Sequence, residues 1–198
     1  MPLLHLLAGP DGAGKSSYVR DVLGRATGGL PFINADEIAA ERWPDAQSEH
    51  AYEAAQIAES QRRERMVARE SFISETVFSH PSKVQLVLDA LDAGYLVHLH
   101  VIMVPVELTV QRVLERERRG GHAVPEQKIR DRYDRLWVHV TSAIRIADVA
   151  EVFDNSSARA PFRLCANYVH GIPLGSPIWP SWTPADLQDE PLNPPDGR

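Results

Sequence analysis

The sequence predicts an α/β protein, a parallel sheet wrapped by helices. Three observations predict it. Short apolar runs alternate with helical stretches along most of the chain. The strongest run, "YLVHLHVIMV" at 95–104, is apolar almost throughout, as a strand covered on both faces must be. The first run ends in "AGPDGAGKSS", whose G-x-x-x-x-G-K-S spacing joins a buried strand to an amphipathic helix.

The elements follow in order. "PLLHLLAG" is a buried strand stopped by glycine. Ser16 to Arg25 carries Tyr18, Val19, Val22 and Leu23 at helical spacing, and "TGGLP" breaks it. "PFINAD" is a second short strand, and "DEIAAERW" is helical until Pro44. A long charged helix runs from Ser48, a candidate N-cap, to Glu70. "SFISETVFSHP" holds the third strand, and "PSKVQLVLDALDAG" is a helix stopped at Gly94. After the strong strand come "PVELTVQRVLERERR", helical with Pro105 in its first turn, and the interruption "GGHAVP". "PEQKIRDRYDRLWVHVTSAIRIA" is helical again; "DVAEVFDNS" and "FRLCANYVHG" are the last strands. The predicted domain is 1–170. Seven of the 15 prolines fall in 171–198, an extended tail that Trp179 and Trp182 are suited to dock on the domain.

With 198 residues, 43% hydrophobic, the chain is long enough for one real core. A net charge of −6 argues against long nucleic acid as a partner. Cys165 is the only cysteine, so no disulfide framework exists, and its strand setting predicts a buried, inert thiol. The N-terminal apolar run is too short for a signal peptide or a membrane span, so a cytoplasmic protein is expected.

The glycine motif is a phosphate cradle. Gly9, Pro10, Asp11, Gly12, Ala13, Gly14, Lys15, Ser16 and Ser17 are the candidate nucleotide-binding residues. Amides from Asp11 to Ser16 can ring the phosphates at a helix N-terminus, Lys15 can neutralise the β- and γ-oxygens, and Ser16 can ligate Mg²⁺. The strongest strand ends in Pro105 without the acid that many nucleotide hydrolases place there. The acids follow shorter strands instead: Asp36 in "INADE" and Glu75 in "ISETV". In an open α/β sheet those strand ends share one cleft with the loop. A carboxylate there either takes the proton of an attacking hydroxyl or orients Mg²⁺, whereas Asp36 as a plain helix N-cap and Glu75 as a buried structural carboxylate are the bland alternatives.

Arg112 to Arg135 holds eight Lys or Arg against five Asp or Glu in an acidic chain, and it brackets the glycines of "GGHAVP". A lid over about 116–126, closing arginines on the γ-phosphate and excluding water, fits this block. Arg116, Arg119 and Arg132 are assigned to function; Arg118 and Arg130 to a solvated helix face. His98 and His100 share one face of a strand and read as core or cleft-wall residues; His122 in the lid is a substrate or phosphate contact.

Taken together, "AGPDGAGKSS", "FINADEIA", "SFISETVFSH", "RVLERERRGGHAVPEQKIRDRYDR" and "VFDNS" resemble the zeta-toxin family of P-loop kinases, over about residues 3–170. The resemblance implies a doubly wound sheet of order 2-3-1-4-5. It implies transfer of phosphate from ATP or GTP, with Mg²⁺, to the 3′-hydroxyl of the amino sugar of UDP-N-acetylglucosamine. It also implies a small helical antitoxin as partner. On this chain it makes Lys15 and Ser16 the phosphate-loop pair and Asp36 the hydroxyl-activating base. Glu75 and Thr76 become the strand-end motif near the substrate, Arg116 and Arg119 the lid clamp, and Asn155 the residue beside the adenine. Two other readings stay open: a kinase for another hydroxyl (free sugar, nucleotide or polynucleotide end), and a nucleotide switch without turnover.

Overall fold

The structure, a computed structural model, describes residues 1–118 and 124–188. Strand β1 (Leu3–Ala8) runs into the glycine loop and then helix α1 (Lys15–Tyr18), which continues through a π-helical turn (Val19–Leu23) into α2 (Gly24–Ala26). There follow β2 (Phe32–Ile33), α3 (Ala35–Arg42), α4 (Ala51–Ala68), β3 (Phe72–Thr76), α5 (Ser82–Asp92), β4 (Leu96–Met103), α6 (Val106–Arg118), α7 (Glu126–Ile146) and β5 (Val149–Asp154). Strands β6 (Arg163–Val169) and β7 (Ile172–Pro173) and helix α8 (Ala185–Gln188) complete the order.

The sheet order is β2-β3-β1-β4-β5-β6-β7. The first five strands are parallel, in the order 2-3-1-4-5 that the resemblance implies. Strands β6 and β7 extend that edge antiparallel, so the sheet is not parallel throughout. The short 155–162 connection explains this, because a parallel return needs a crossover of a dozen or more residues.

Alternation along the strands splits the interior in two. Leu4, Leu6 and Ala8 of β1 and Val97, Leu99 and Val101 of β4 face the large core under α3, α4, α5 and α7. Leu7, Ile73, Ile102 and Phe153 face the other way and pack on Tyr18, Val19 and Leu23 of the loop's own helix. That second layer seats the helix behind the loop, each fully buried Leu or Ile contributing about 1.5–3 kcal/mol.

Two local expectations change. The helix behind the loop contains a π turn, an insertion often found near functional sites. The long helix starts at Ala51 with His50 at its N-cap, not Ser48. Turns over residues 46–50 use the preceding chain, and the His50 ring stacks on Trp43 with centroids 4.5 Å apart. The proline-rich segment is partly incorporated: Ile178 N–H donates to Cys165 O at 2.7 Å, Trp179 and Trp182 pack on the main core, and Leu187 is buried. Cys165 is buried as expected, and burial pushes its thiol up.

Candidate active site

The carboxyl ends of β1, β3 and β2 lie side by side and deliver the glycine loop, Glu75 and Asn34 to one place. Two glycines are needed there for shape. A Cβ on Gly9, at φ +151°, would sit 2.2 Å from the Ile102 carbonyl oxygen. A Cβ on Gly14, at φ +93°, would sit 2.5 Å from the Asn155 side-chain nitrogen. At Gly9 the obstacle is backbone and only hydrogen fits; at Gly14 the left-handed φ favours glycine and a side chain would have to displace Asn155.

Lys15 is buried and curls back over the loop, donating to Gly9 O at 3.0 Å and Pro10 O at 2.9 Å. Its ammonium also lies 3.6 Å from Glu75 Oε1. Ser16 Oγ donates to Glu75 Oε2 at 2.7 Å, and Asn34 Nδ2 donates to the same oxygen at 3.1 Å. One carboxylate therefore ties together the lysine and the hydroxyl of the loop.

Other groups hold the loop from outside. Arg112 donates to Gly12 O at 3.2 Å and to Asn155 O at 3.0 Å. Asn155 donates its amide to Ala13 O at 2.8 Å. Arg132 pairs with Asp11 at 3.0 Å. The loop's carbonyls at Gly9, Pro10, Gly12 and Ala13 are thus all satisfied within the protein. Among the described residues, no acceptor takes the amides of Gly12, Gly14, Lys15 or Ser16. Four orphan donors at the start of a helix are a ready anion site.

Asn34, not Asp36, caps α3: its Oδ1 accepts from Asp36 N–H at 2.9 Å. Asp36 stands exposed in the first turn, and no described residue bonds or pairs with its carboxylate. Its neighbour Glu37 is pushed up from the usual carboxylate range by lost hydration and by repulsion from Glu75 and Asp36, so three acids face one region. Thr76 Oγ1 accepts from Phe78 N–H at 3.4 Å, where Phe78, fully buried, holds φ +69°. A left-handed bulky residue beside a strand-end acid is strain of a kind that clusters at working sites.

The geometry brings together Lys15, Ser16 and Glu75, and places Asp11, Arg132 and Asn155 around them. Asn155 has its side chain committed to Ala13, which makes it a brace for the loop. Ser17 lies in α1, half-buried. Arg116 is exposed on the last turn of α6 and has no partner among the described residues. Arg119 and His122 lie outside the described residues. Arg130 is held by Glu107 and Glu126, as assigned for a solvated face. Ser16 and Glu75 supply two hard oxygens at contact distance, a donor set that suits Mg²⁺.

Sequence reasoning passed over Asn34, Glu37, Arg62 and Arg112. Asn34 sits one residue before the acids in "INADE", and an Asn before a helical run is a capping signal. Arg112 was legible only as one cation of the arginine block. Arg62 is buried on α4 with a single long bond, 3.5 Å, to Ser74 Oγ, and burial lowers its pKa. Nothing in the charged pattern of that helix distinguishes it.

A loop of this geometry on a 2-3-1-4-5 sheet, with strand-end carboxylates beside it, defines the P-loop kinase class of fold. The zeta toxin family model matches residues 1–160, and the chain belongs to that family. Among solved structures, the complex of AvrRxo1-ORF1 with ORF2 is similar with a TM-score of 0.69 and 16% identity, covering 87% of this chain and 60% of that one. This chain thus spans about 60% of that relative's length. The PezAT chromosomal toxin–antitoxin system of Streptococcus pneumoniae is similar with a TM-score of 0.61 and 18% identity, covering 83% of this chain and 71% of that one. The Pnkp1/Rnl/Hen1 RNA repair complex gives 0.56 and 21%, covering 68% and 44%. A search of the curated proteins finds no match. Among the described residues, no helix is long and apolar enough to cross a membrane.

Proposed function

We propose that this protein transfers the γ-phosphate of ATP or GTP to a hydroxyl of a small acceptor. The acceptor is of the sugar-nucleotide class, with the amino-sugar 3′-hydroxyl of UDP-N-acetylglucosamine as the leading substrate. The observation that carries the reading is the Lys15–Glu75–Ser16 contact with an unpaired Asp36 at the neighbouring strand end. A solved AvrRxo1-ORF1 complex holds ATP, which supports the choice of donor.

The phosphates bind the free amides of Gly12, Gly14, Lys15 and Ser16. Lys15 exchanges the Gly9 and Pro10 carbonyls for β- and γ-oxygens and stays buried while it does so. Ser16 and Glu75 would hold Mg²⁺, which when bound offsets phosphate charge and aligns the γ-group. Asp36 accepts the proton of the attacking hydroxyl, a task that needs a carboxylate not already spent on a partner. Arg132 is placed one contact from the loop, through Asp11, and with Arg116 and Arg119 supplies positive charge as the γ-phosphoryl leaves. Water exclusion falls to the lid segment, because a loop open to solvent would hydrolyse its nucleotide. AvrRxo1-ORF1 is solved in complex with ORF2 and PezAT is a toxin–antitoxin system, which supports a small helical antitoxin as a partner.

The test is mass spectrometry of a reaction holding protein, ATP or GTP, Mg²⁺ and UDP-N-acetylglucosamine, with a 5′-hydroxyl oligonucleotide as competitor. A phosphorylated sugar nucleotide that disappears with Asp36→Asn is expected. Phosphate on the oligonucleotide alone, or turnover indifferent to Asp36→Asn, overturns the reading.

A further inference from the structure

The sheet face beneath the loop's helix is apolar at Leu7, Ile73, Ile102 and Phe153, yet one patch of it is built from imidazoles. His5 of β1 lies opposite His98 of β4 in the parallel register, and His100 lies opposite Glu151 of β5. One nitrogen from each of the three rings can be chosen so that all lie within 4.8 Å of one another. His5 Nδ1 and His100 Nε2 are 2.9 Å apart. His5 and His100 are buried, 6% and 1% exposed, whereas His98 and Glu151 are about a quarter open to solvent, at 25% and 24%.

Glu151 organises the rings. Its Oε2 lies 2.9 Å from His98 Nε2 and 3.4 Å from His100 Nδ1. A carboxylate only accepts, so both of those nitrogens carry the proton, and the other nitrogen of each ring keeps a lone pair. For His100 that lone pair is on Nε2, the atom facing His5. Tyr18 of α1 closes the cluster, its hydroxyl 3.4 Å from His100 Nδ1.

We propose that His5, His98 and His100 form a divalent transition-metal site of the zinc class, with Glu151 as the carboxylate that orients two of the ligands. A His-x-His pair on one strand and a third His opposite on the next give three imidazoles on one face, a donor set that suits Zn²⁺ and not Mg²⁺. Two nitrogens on a tetrahedral zinc stand about 3.3 Å apart, given bonds of about 2.0–2.1 Å. The His5–His100 pair reaches that by parting a few tenths of an ångström. Of the three rings, His98 is the one that solvent reaches. A carboxylate behind metal-bound histidines is the usual outer support for such ligands. The ion would staple β1 to β4. Because His5 precedes Gly9 by four residues, roughly 13 Å along an extended strand, the site is separate from the Ser16–Glu75 position.

The test strips the full chain with a chelator and titrates Co²⁺ in excess Mg²⁺, following visible absorption, then displaces it with Zn²⁺. One equivalent with the intense bands of tetrahedral cobalt is expected, together with a metal-dependent rise in Tm. His98→Asn, at a position a quarter open to solvent, should lose the bands while remaining folded by circular dichroism, and Glu151→Gln should weaken binding about 10–100-fold. Lys15→Ala should bind cobalt as wild type does, which separates this site from the kinase reading. No stoichiometric binding, or equal binding by His98→Asn through surface histidines, overturns the proposal.

Discussion

Glu75 accepts the Ser16 hydroxyl at 2.7 Å while standing 3.6 Å from the Lys15 ammonium. A residue of β3 thus sets both chemical groups of a loop that follows β1. Replacing the charge but keeping the shape separates its two roles. Glu75→Gln is expected to raise the Mg²⁺ concentration needed for half-maximal rate by at least about 10–100-fold, the loss seen even for partners one shell further out. Nucleotide affinity measured without Mg²⁺ should change far less. An unchanged Mg²⁺ dependence would place Glu75 in a structural role only.

Asp36 is the complementary case. Its carboxylate is free of partners among the described residues, and Asn34 already caps the helix. Asp36→Asn therefore costs little stability. It is expected to lower kcat roughly 10²–10⁴-fold, the range for a general base, with acceptor KM nearly unchanged. A matching rise in KM with constant kcat, measured by steady-state kinetics, would make it a binding residue instead.

The loop's shape can be tested by a cycle. Gly14→Ala drives a Cβ to 2.5 Å from the Asn155 amide and holds alanine at φ +93°. Asn155→Ala removes the obstacle but also the bond to Ala13 O. Each single change lowers Tm. The double variant is expected to be less destabilised than the sum, by about 0.5–3 kcal/mol of coupling, as for residues in contact. Additive losses in denaturant melts would show that the loop relaxes without meeting Asn155.

Two arginines two positions apart on α7 should behave differently. Arg130 lies between Glu107 and Glu126 on the surface, whereas Arg132 reaches Asp11 of the loop. Arg130→Ala is expected to leave kcat unchanged. Arg132→Ala should lower kcat by about 10²-fold, near the lower end for loss of one charge-stabilising donor. Equal effects of the two would remove Arg132 from the transferring group.

This contrast shows what the sequence could and could not tell. The parallel part of the sheet, the loop and the strand-end acids were legible because apolar runs and glycine spacing report local backbone needs. The assignment of Arg130 to a solvated face was legible from its helix neighbours. The brace from Arg112 was not, because a cation in a basic block carries no mark of which carbonyl 100 residues away it will meet. His5 was invisible for the same reason: it joins His98 and His100 only through the register of β1 against β4. The antiparallel β6 looked like any other strand, since direction is set by the length of the connection and not by the run itself, and β7 lies in the segment read as an extended tail.

Acid should loosen the loop's edge at Asp154. Burial of this carboxyl opposes its ionisation, but hydrogen bonds from Ser156 and the pair with Arg163 at 3.0 Å outweigh that and hold its pKa below the ordinary 3.8. A group whose folded pKa is depressed adds stability above its unfolded pKa and loses it as pH falls through the folded one. Asp154 therefore stabilises fully from neutral pH down to about pH 5, and its contribution fades below about pH 4. Arg163 is half exposed, so its share is screened by solvent and salt, and the Ser156 bonds carry most of the effect. Asp154→Asn should lower Tm by a constant amount between pH 5 and 7, and the gap to wild type should close on further acidification. Because Asp154 directly precedes Asn155, nucleotide binding should weaken along with it. A gap that widens as pH falls would reverse the sign and refute the assignment.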